Sequence, residues 1–204
     1  MRVVVAAENP LSCDNPSVIR IVLFATALFA FAGPARSADP PQLAALDKPG
    51  RVLILRHAHA PGVGDPENFR LRDCSTQRNL DAAGRAQAVE LGRRLARAGI
   101  AGAKVYSSQW CRCLETARLL SLGPVEELPA LNSFFERQDE RALRVSELRA
   151  FLASLPTDGP PVVLVTHQVT ISSLTGRGAA SGAGAILLLD GTGEPRVLGD
   201  IEAN

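Results

Sequence analysis

Two histidines of this chain stand directly after apolar runs, and the first of them follows an arginine. His57 comes after the run 51–56, which ends in Arg56, and His167 comes after the run 161–166. A histidine in such a position can act as a nucleophile, as an acid or base, or as a metal ligand. The neighbouring guanidinium favours an anionic substrate, because it presents several hydrogen-bond donors in a fixed planar arrangement.

The apolar runs predict buried strands that deliver these side chains at their carboxyl ends. A strand that is apolar throughout is usually covered on both faces, and ligands bind at the carboxyl edge of such sheets. Periodicity and caps predict the remaining elements: helices over 81–99, 110–120, 139–155 and 169–175, strands over 104–107 and 125–128, and a terminal hairpin of 183–189 and 195–198. This alternation predicts an α/β fold of three layers, with a mostly parallel central sheet and helices on both faces.

Composition indicates one globular domain and excludes a disordered chain. The 204 residues are 46% hydrophobic and carry a formal charge of +1. Without residues 1–37, the 22 basic and 21 acidic residues fall to 19 of each. A neutral chain lacks the field of one sign that is typical of proteins that bind nucleic acid or anionic membranes, so neither partner is expected.

The amino-terminal 37 residues are typical of a secretory signal peptide. The apolar run 21–32 follows Arg20 and precedes small residues that suit a cleavage site. A bilayer span takes about 20 apolar residues, so a permanent anchor is the less favoured alternative. Glu8 and Asp14 are unusual in such a leader, and a start assigned too far upstream would account for them. We expect a periplasmic or secreted domain over 38–204, without a membrane span after cleavage.

Three cysteines remain once the leader, which holds Cys13, is removed. An exported chain favours one disulfide. A bridge between Cys111 and Cys113 would be strained, so we expect Cys74 to pair with one of these two. The alternative is that all three are small packing residues.

The segment 60–78 is long for a loop and lies directly after the first histidine strand. Long loops beside the end of a strand are usually functional. It carries Arg70, Arg72 and Arg78. These arginines either contact an anionic substrate or form a solvated surface.

Four ordered motifs make the chain resemble the histidine phosphatase superfamily, which includes phosphoglycerate mutases, phytases and phosphohistidine phosphatases. They are Arg56-His57-Ala58, Leu80-Asp81-x-x-Gly84-x-x-Gln87-Ala88, Ser107-Ser108-x-x-x-Arg112-x-x-x-Thr116-Ala117 and Val165-Thr166-His167. The resemblance extends to the exported branch that includes lipopolysaccharide core heptose phosphate phosphatases. It implies the three-layer α/β fold of that superfamily.

The resemblance also implies a reaction and roles for particular residues. A phosphate monoester would be hydrolysed through a phosphohistidine on His57, without a cofactor or metal. Arg56, Arg112 and His167, together with His57, would form the phosphate pocket, and a sugar phosphate or similar small ester would be the substrate. Phosphoryl transfer depends mainly on positioning and on cations around the oxygens, which suits this set. The family's glycine after the histidine is Ala58 here.

The acid that protonates the leaving group is not evident from the motifs. One branch of the family places an aspartate directly after its second histidine, where this chain has Gln168. The other branch uses a glutamate where this chain has 131–133, Leu-Asn-Ser. Glu136 is the nearest candidate, followed by Glu127 and Asp139.

Two alternative functions stay open. Because the motifs do not identify the acid, the chain could be a phosphate-binding descendant of the family that does not catalyse. A His57-x-His59 pair with His167 could instead form the metal site of a hydrolase. Arg56 and Arg112 argue against a cation there, because they would repel it.

Overall fold

The computed structural model describes residues 41–203, which form a six-stranded sheet flanked by helices. The strands are β1 (Arg51–Arg56), β2 (Lys104–Ser107), β3 (Val125–Glu127), β4 (Val162–Thr166), β5 (Gly184–Leu188) and β6 (Arg196–Ile201). The helices are α1 (Pro41–Ala44), α2 (Ala82–Arg97), α3 (Cys111–Leu119), α4 (Arg141–Ser154) and α5 (Gln168–Thr175). Short 3-10 turns cover Ala45–Asp47, Cys74–Thr76, Pro129–Leu131 and Gln138–Glu140.

The strands are arranged in the order β3-β2-β4-β1-β5-β6. The four strands from β3 to β1 are parallel, whereas β5 runs antiparallel to both β1 and β6. The mostly parallel sheet predicted from the sequence is confirmed. β1 and β4 are neighbours near its centre, and their carboxyl ends meet at one edge.

Alternate residues of β1 supply the cores on the two faces of the sheet. Leu53 and Leu55 pack on one face among side chains of α2 and α3, and Val52 and Ile54 pack on the other among side chains of α4 and α5. All four are fully buried. Successive side chains of a strand point to opposite faces, so a continuous apolar run is what a sheet covered on both sides requires.

The helices and strands predicted from the sequence are observed, and they differ from the observed elements only in their end residues. The helix predicted over 139–155 begins at Arg141, because the 3-10 turn Gln138–Glu140 precedes it. The last strand extends to Ile201, beyond the predicted 195–198. The side chain of Asp81 caps α2, as predicted, and accepts a hydrogen bond from the Gly84 amide at 2.7 Å.

The long loop after β1 is attached to α3 by a disulfide between Cys74 and Cys111. Cys111 is one of the two predicted partners, and Cys113 is a buried free thiol. The predicted signal peptide, residues 1–37, lies outside the described residues. Within 41–203, no helix has the length and apolar character needed to cross a bilayer.

Candidate active site

The two motif histidines lie side by side at the carboxyl edge of the sheet. His57 follows β1 and His167 follows β4, and the parallel pairing of these strands aligns Arg56 with Thr166. The backbone amide of His57 donates to the Thr166 carbonyl at 2.9 Å. The ring centroids of the two histidines are 5.6 Å apart. The geometry therefore brings together two residues that lie more than a hundred positions apart in the sequence.

His57 is held as a neutral imidazole with one defined tautomer. Its Nδ1 lies 2.8 Å from the carbonyl oxygen of Ala58. A carbonyl oxygen only accepts, so Nδ1 carries the proton and Nε2 keeps its lone pair. Burial, followed by the charge of Arg112, lowers the pKa of His57 to about 3. The ring is thus a free base at neutral pH, as a nucleophile at phosphorus must be.

His167 is buried and is oriented by a hydroxyl group. Its Nε2 lies 2.8 Å from Ser108 Oγ, which also lies 3.2 Å from Asn132 Oδ1. The Asn132 oxygen has two lone pairs and accepts both this hydroxyl and the Gln109 amide, the latter at 2.9 Å. Burial and the charge of Arg112 lower the pKa of His167 well below its ordinary value.

Two arginines present buried hydrogen-bond donors that have no acceptor among the described residues. These donors are the Nε atoms of Arg56 and Arg112. Arg56 Nη1 donates to the Ala179 carbonyl at 3.1 Å. Burial, followed by the charge of Arg112, lowers the pKa of Arg56. Arg51 and Arg149, outside this cavity, also have a buried Nε without an acceptor among the described residues, so it is the position of Arg56 and Arg112 at one cavity that indicates an anionic ligand.

Arg112 makes a bidentate ion pair with Asp65, a residue of the long loop. Nη1 lies 2.7 Å from Oδ1 and Nη2 lies 3.1 Å from Oδ2. Oδ2 also accepts the Trp110 indole N–H at 3.0 Å, and Oδ1 accepts the Arg78 amide at 3.0 Å. Burial alone would raise the pKa of Asp65, but the hydrogen bonds and charge of Arg112 outweigh it and hold that pKa below its ordinary value.

The remaining motif residues position the backbone that follows β1. Thr116 Oγ1 accepts the Ala58 amide at 3.0 Å, and Gln87 Oε1 accepts the His59 amide at 2.9 Å. A side chain at Gly84 would collide with the His59 carbonyl, which explains the glycine there. Among the described residues other than glycine, only Arg72 and Ser121 have a positive φ. Ala58 therefore adopts an ordinary backbone conformation, and replacement of the family's glycine causes no strain.

The histidines and arginines of the site line a cavity of about 470 Å³ at the edge of the sheet. Arg56, His57, Arg112 and His167, the four residues predicted for the phosphate pocket, all line it. The other lining residues are Gly62, Val63, Gly64, Asp65, Phe69, Arg78, Trp110, Ser133, Phe135, Glu136, Arg137, Gln168 and Val169. Val63 and Phe135 are 86% and 52% exposed, so the mouth of the cavity is partly apolar.

The candidate acid Glu136 lies at this cavity, whereas the two weaker candidates do not line it. Asp65 and Glu136 are the carboxylates among the described residues that line it. Asp65 is engaged by Arg112, which disfavours its protonation. Glu136 Oε1 accepts the Asp65 amide at 3.3 Å. Gln168 also lines the cavity, but an amide cannot supply the proton.

Some candidates from the sequence lie elsewhere. The His59 ring is half exposed and contacts Asp81 at 3.0 Å, so the two histidines of His57-x-His59 do not converge. No group of three or more potential metal ligands occurs within residues 41–203. Arg78 lines the cavity, but Arg70 and Arg72 do not.

Sequence reasoning missed Asp65, Trp110 and the orienting role of Ser108. The long loop was expected to be functional, but its arginines were singled out rather than its carboxylate. An aspartate among glycines and prolines is an ordinary turn residue, so its identity alone gave no signal. Trp110 packs edge-to-face on His167 with ring centroids 5.3 Å apart, and this contact too depends on the folded chain.

The geometry agrees with comparisons to known proteins. The model of the histidine phosphatase superfamily, branch 1, matches residues 52–138. This segment contains three of the four motifs, so the match confirms the resemblance seen in the sequence. No curated protein sequence matches the chain.

Solved structures show the same fold. The protein histidine phosphatase SixA complexed with tungstate superposes with a TM-score of 0.54 at 19% identity, covering 74% of this chain and 96% of that one. A mycobacterial glucosyl-3-phosphoglycerate phosphatase gives 0.55 at 18% identity, covering 76% and 99%. Mycobacterial hydrolase 1 gives 0.57 at 18%, covering 77% and 100%. At these identities the similarity establishes the fold alone, and the family match supports a phosphatase.

Proposed function

We propose that the protein is an exported phosphomonoesterase that hydrolyses a small phosphate ester, a sugar phosphate or a similar compound, through a phosphohistidine on His57. The observation that carries the proposal is the convergence of a neutral imidazole, whose Nε2 has its lone pair, with two buried guanidinium Nε–H groups that have no acceptor among the described residues. A nucleophile and free guanidinium N–H donors in one cavity are what phosphoryl transfer needs.

The first half-reaction transfers the phosphoryl group to the imidazole. Arg56 and Arg112 donate hydrogen bonds to the phosphate oxygens, and together with His167 they hold phosphorus against His57 Nε2. The Nε2 lone pair forms the N–P bond while the ester P–O bond breaks. The departing oxygen takes a proton from Glu136, the proposed acid. The alcohol then leaves.

Water completes the second half-reaction. Glu136, now a carboxylate, accepts a proton from the water that attacks phosphorus. The N–P bond breaks, and its electron pair returns to His57. Inorganic phosphate leaves, and both the imidazole and the acid regain their starting states. No metal takes part in this scheme, so chelators should leave the rate unchanged.

Turnover of p-nitrophenyl phosphate in the presence of EDTA tests the proposal. We expect wild-type protein to release phosphate and His57→Ala to release none, because no other group carries the phosphoryl. His59→Ala is the matched control, since this exposed histidine lies two residues away, and it should retain full activity. Rapid quenching with a labelled substrate should show an acid-labile, base-stable phosphoenzyme that is absent in His57→Ala.

The same assay separates the two alternative functions. Phosphate binding by calorimetry without any turnover would identify a phosphate-binding protein that does not catalyse. Loss of turnover in EDTA, restored by a divalent cation, would identify a metal-dependent hydrolase. Full turnover by His57→Ala would contradict the phosphohistidine mechanism.

The proposed export is supported by the composition of residues 1–37 and is compatible with the Cys74–Cys111 disulfide, since disulfides persist in oxidising compartments. We expect the precursor to be shortened by about 35–38 residues on export. Amino-terminal sequencing of periplasmic or secreted material measures this. A mature protein that retains the first 37 residues would contradict it.

A further inference from the structure

Asp65 is the carboxylate in contact with the phosphate-pocket arginine, yet it belongs to none of the four motifs. It receives four hydrogen bonds: two from Arg112, one from the indole of Trp110 and one from the backbone amide of Arg78. The side chains of Asp65 and Arg112 are only 9% and 4% exposed. An ion pair this buried and this fully hydrogen-bonded holds both side chains in one geometry.

The ion pair with Asp65 determines which edge of the Arg112 guanidinium is available to a ligand. Asp65 takes the end of the fork, one hydrogen each of Nη1 and Nη2, and the other Nη1 hydrogen points toward the Arg78 carbonyl at 3.3 Å. The lateral edge of Arg112, formed by Nε–H and the second Nη2 hydrogen, remains. Its Nε is buried without an acceptor among the described residues. That edge presents two parallel donors, which is the arrangement that a phosphate accepts bidentately.

The Asp65 carboxylate also reduces the repulsion among the arginines around the cavity. Arg56, Arg78 and Arg112 all line the cavity, and burial, followed by the charge of Arg112, lowers the pKa of both Arg56 and Arg78. Asp65 supplies a negative charge among them. Without it, Arg112 would be repelled by its neighbours and free to rotate away.

We propose that Asp65 is the positioning residue of the phosphate pocket, which holds Arg112 by the end of its guanidinium so that the Nε–Nη2 edge faces the transferred phosphoryl group. This inference rests on the proposed function. A competing role for the same contact is inhibition, in which the carboxylate occupies Arg112 in place of phosphate. A second competing role is that of the general acid. The experiment distinguishes all three.

Asp65→Asn keeps the shape of the side chain but places an amide N–H₂ group, itself a donor, opposite one of the Arg112 donors. We expect kcat/KM for p-nitrophenyl phosphate to fall about 100-fold, as is typical when a group at the reacting centre is misplaced, and vanadate to bind more weakly. Asp73→Asn is the matched control. It removes the same charge from the same loop, where Asp73 is partly buried, does not line the cavity and contacts Ser75, and it should keep wild-type kinetics.

A double-mutant cycle with Arg112→Ala tests whether Asp65 acts through the arginine. Because the positioning role needs Arg112, Asp65→Asn should cost little further activity in the Arg112→Ala background. Additive losses would overturn the proposal, since a merely structural role lowers activity whether or not Arg112 is present. Asp65→Glu provides a second variant if the amide variant does not fold. Its carboxylate is retained but displaced by one methylene, and we expect an intermediate loss.

The competing roles give opposite results. Tighter vanadate binding or faster turnover in Asp65→Asn would show inhibition. A loss confined to alkyl phosphates, with p-nitrophenyl phosphate unaffected, would show a general acid; positioning predicts equal loss on both. If wild-type protein hydrolyses no ester, the proposed function fails, but vanadate binding by Asp65→Asn and Asp73→Asn still decides whether Asp65 positions Arg112.

Discussion

At the scale of single residues, the site combines an uncharged imidazole, the proposed nucleophile, with several positive charges. Burial and the charge of Arg112 keep His57 neutral, with a pKa of about 3, and the Ala58 carbonyl fixes its tautomer. The nucleophile therefore needs no separate base to remove a proton before attack. What the arginines and the imidazole do not supply is a proton for the departing alkoxide, and that step depends on a carboxylate at the cavity.

Glu136→Gln should reveal this step through its dependence on the leaving group. We expect kcat/KM for an alkyl phosphate, which covers only the steps up to formation of the phosphoenzyme, to fall about 100-fold or more, the usual contribution of a general acid, because an alkoxide is a poor leaving group. The kcat/KM for p-nitrophenyl phosphate should change little, since p-nitrophenolate leaves without protonation. Steady-state kinetics on both esters measures the ratio. Glu127→Gln, outside the cavity, is the control, and equal losses on the two substrates would remove Glu136 from this role.

At the scale of elements, the long loop after β1 acts as one wall of the site, and it is held by a covalent bond. The disulfide joins Cys74 of this loop to Cys111, the first residue of α3 and the neighbour of Arg112. The loop carries Asp65 and Phe69, and Phe69 stacks on Trp110 with ring centroids 5.1 Å apart. The bond thus fixes the loop at the point where Arg112 enters the cavity.

Cys74→Ser should destabilise the protein and loosen this wall. The bridge spans a sequence separation of 37 residues. Chain-entropy arguments assign about 4 kcal/mol to a closed loop of that length. We expect lower stability in urea and a raised KM, because Asp65 and Arg112 are less firmly held. Wild-type protein in reductant should match the variant, and a variant as stable as the oxidised wild type would contradict this account.

The elements themselves could be predicted from the sequence, whereas the contacts of the loop could not. The apolar run before His57 could only be a doubly covered strand, and Asp81 with Gly84 marked the start of α2. The motifs also named four of the residues that line the cavity. Asp65, by contrast, lies 47 positions before Arg112, and nothing local indicates that the two side chains meet. Such a contact depends on the path of an irregular segment, which has no periodicity to read.

At the scale of the whole molecule, the fold buries polar groups at the edge of its core. His57 and His167 are only 2% and 4% exposed, and both lie among guanidinium groups that disfavour their protonated forms. The unfolded chain exposes the same imidazoles to water, where their pKa is about 6.5. Folding therefore holds two histidines neutral over a pH range in which the unfolded chain protonates them.

This difference predicts that stability falls as the pH is lowered from about 6.5. Both folded-state pKa values lie below the unfolded value, so the unfolded state binds more protons in this range. The unfolded state is therefore stabilised relative to the folded state as the pH falls. We expect each histidine to contribute about 1 kcal/mol of lost stability per pH unit between pH 6 and 5. Urea denaturation in buffers without phosphate measures the slope. His57→Gln removes one of the two titrations and should reduce the slope by about half. An equal slope in wild type and His57→Gln would show that His57 is not held neutral by the fold.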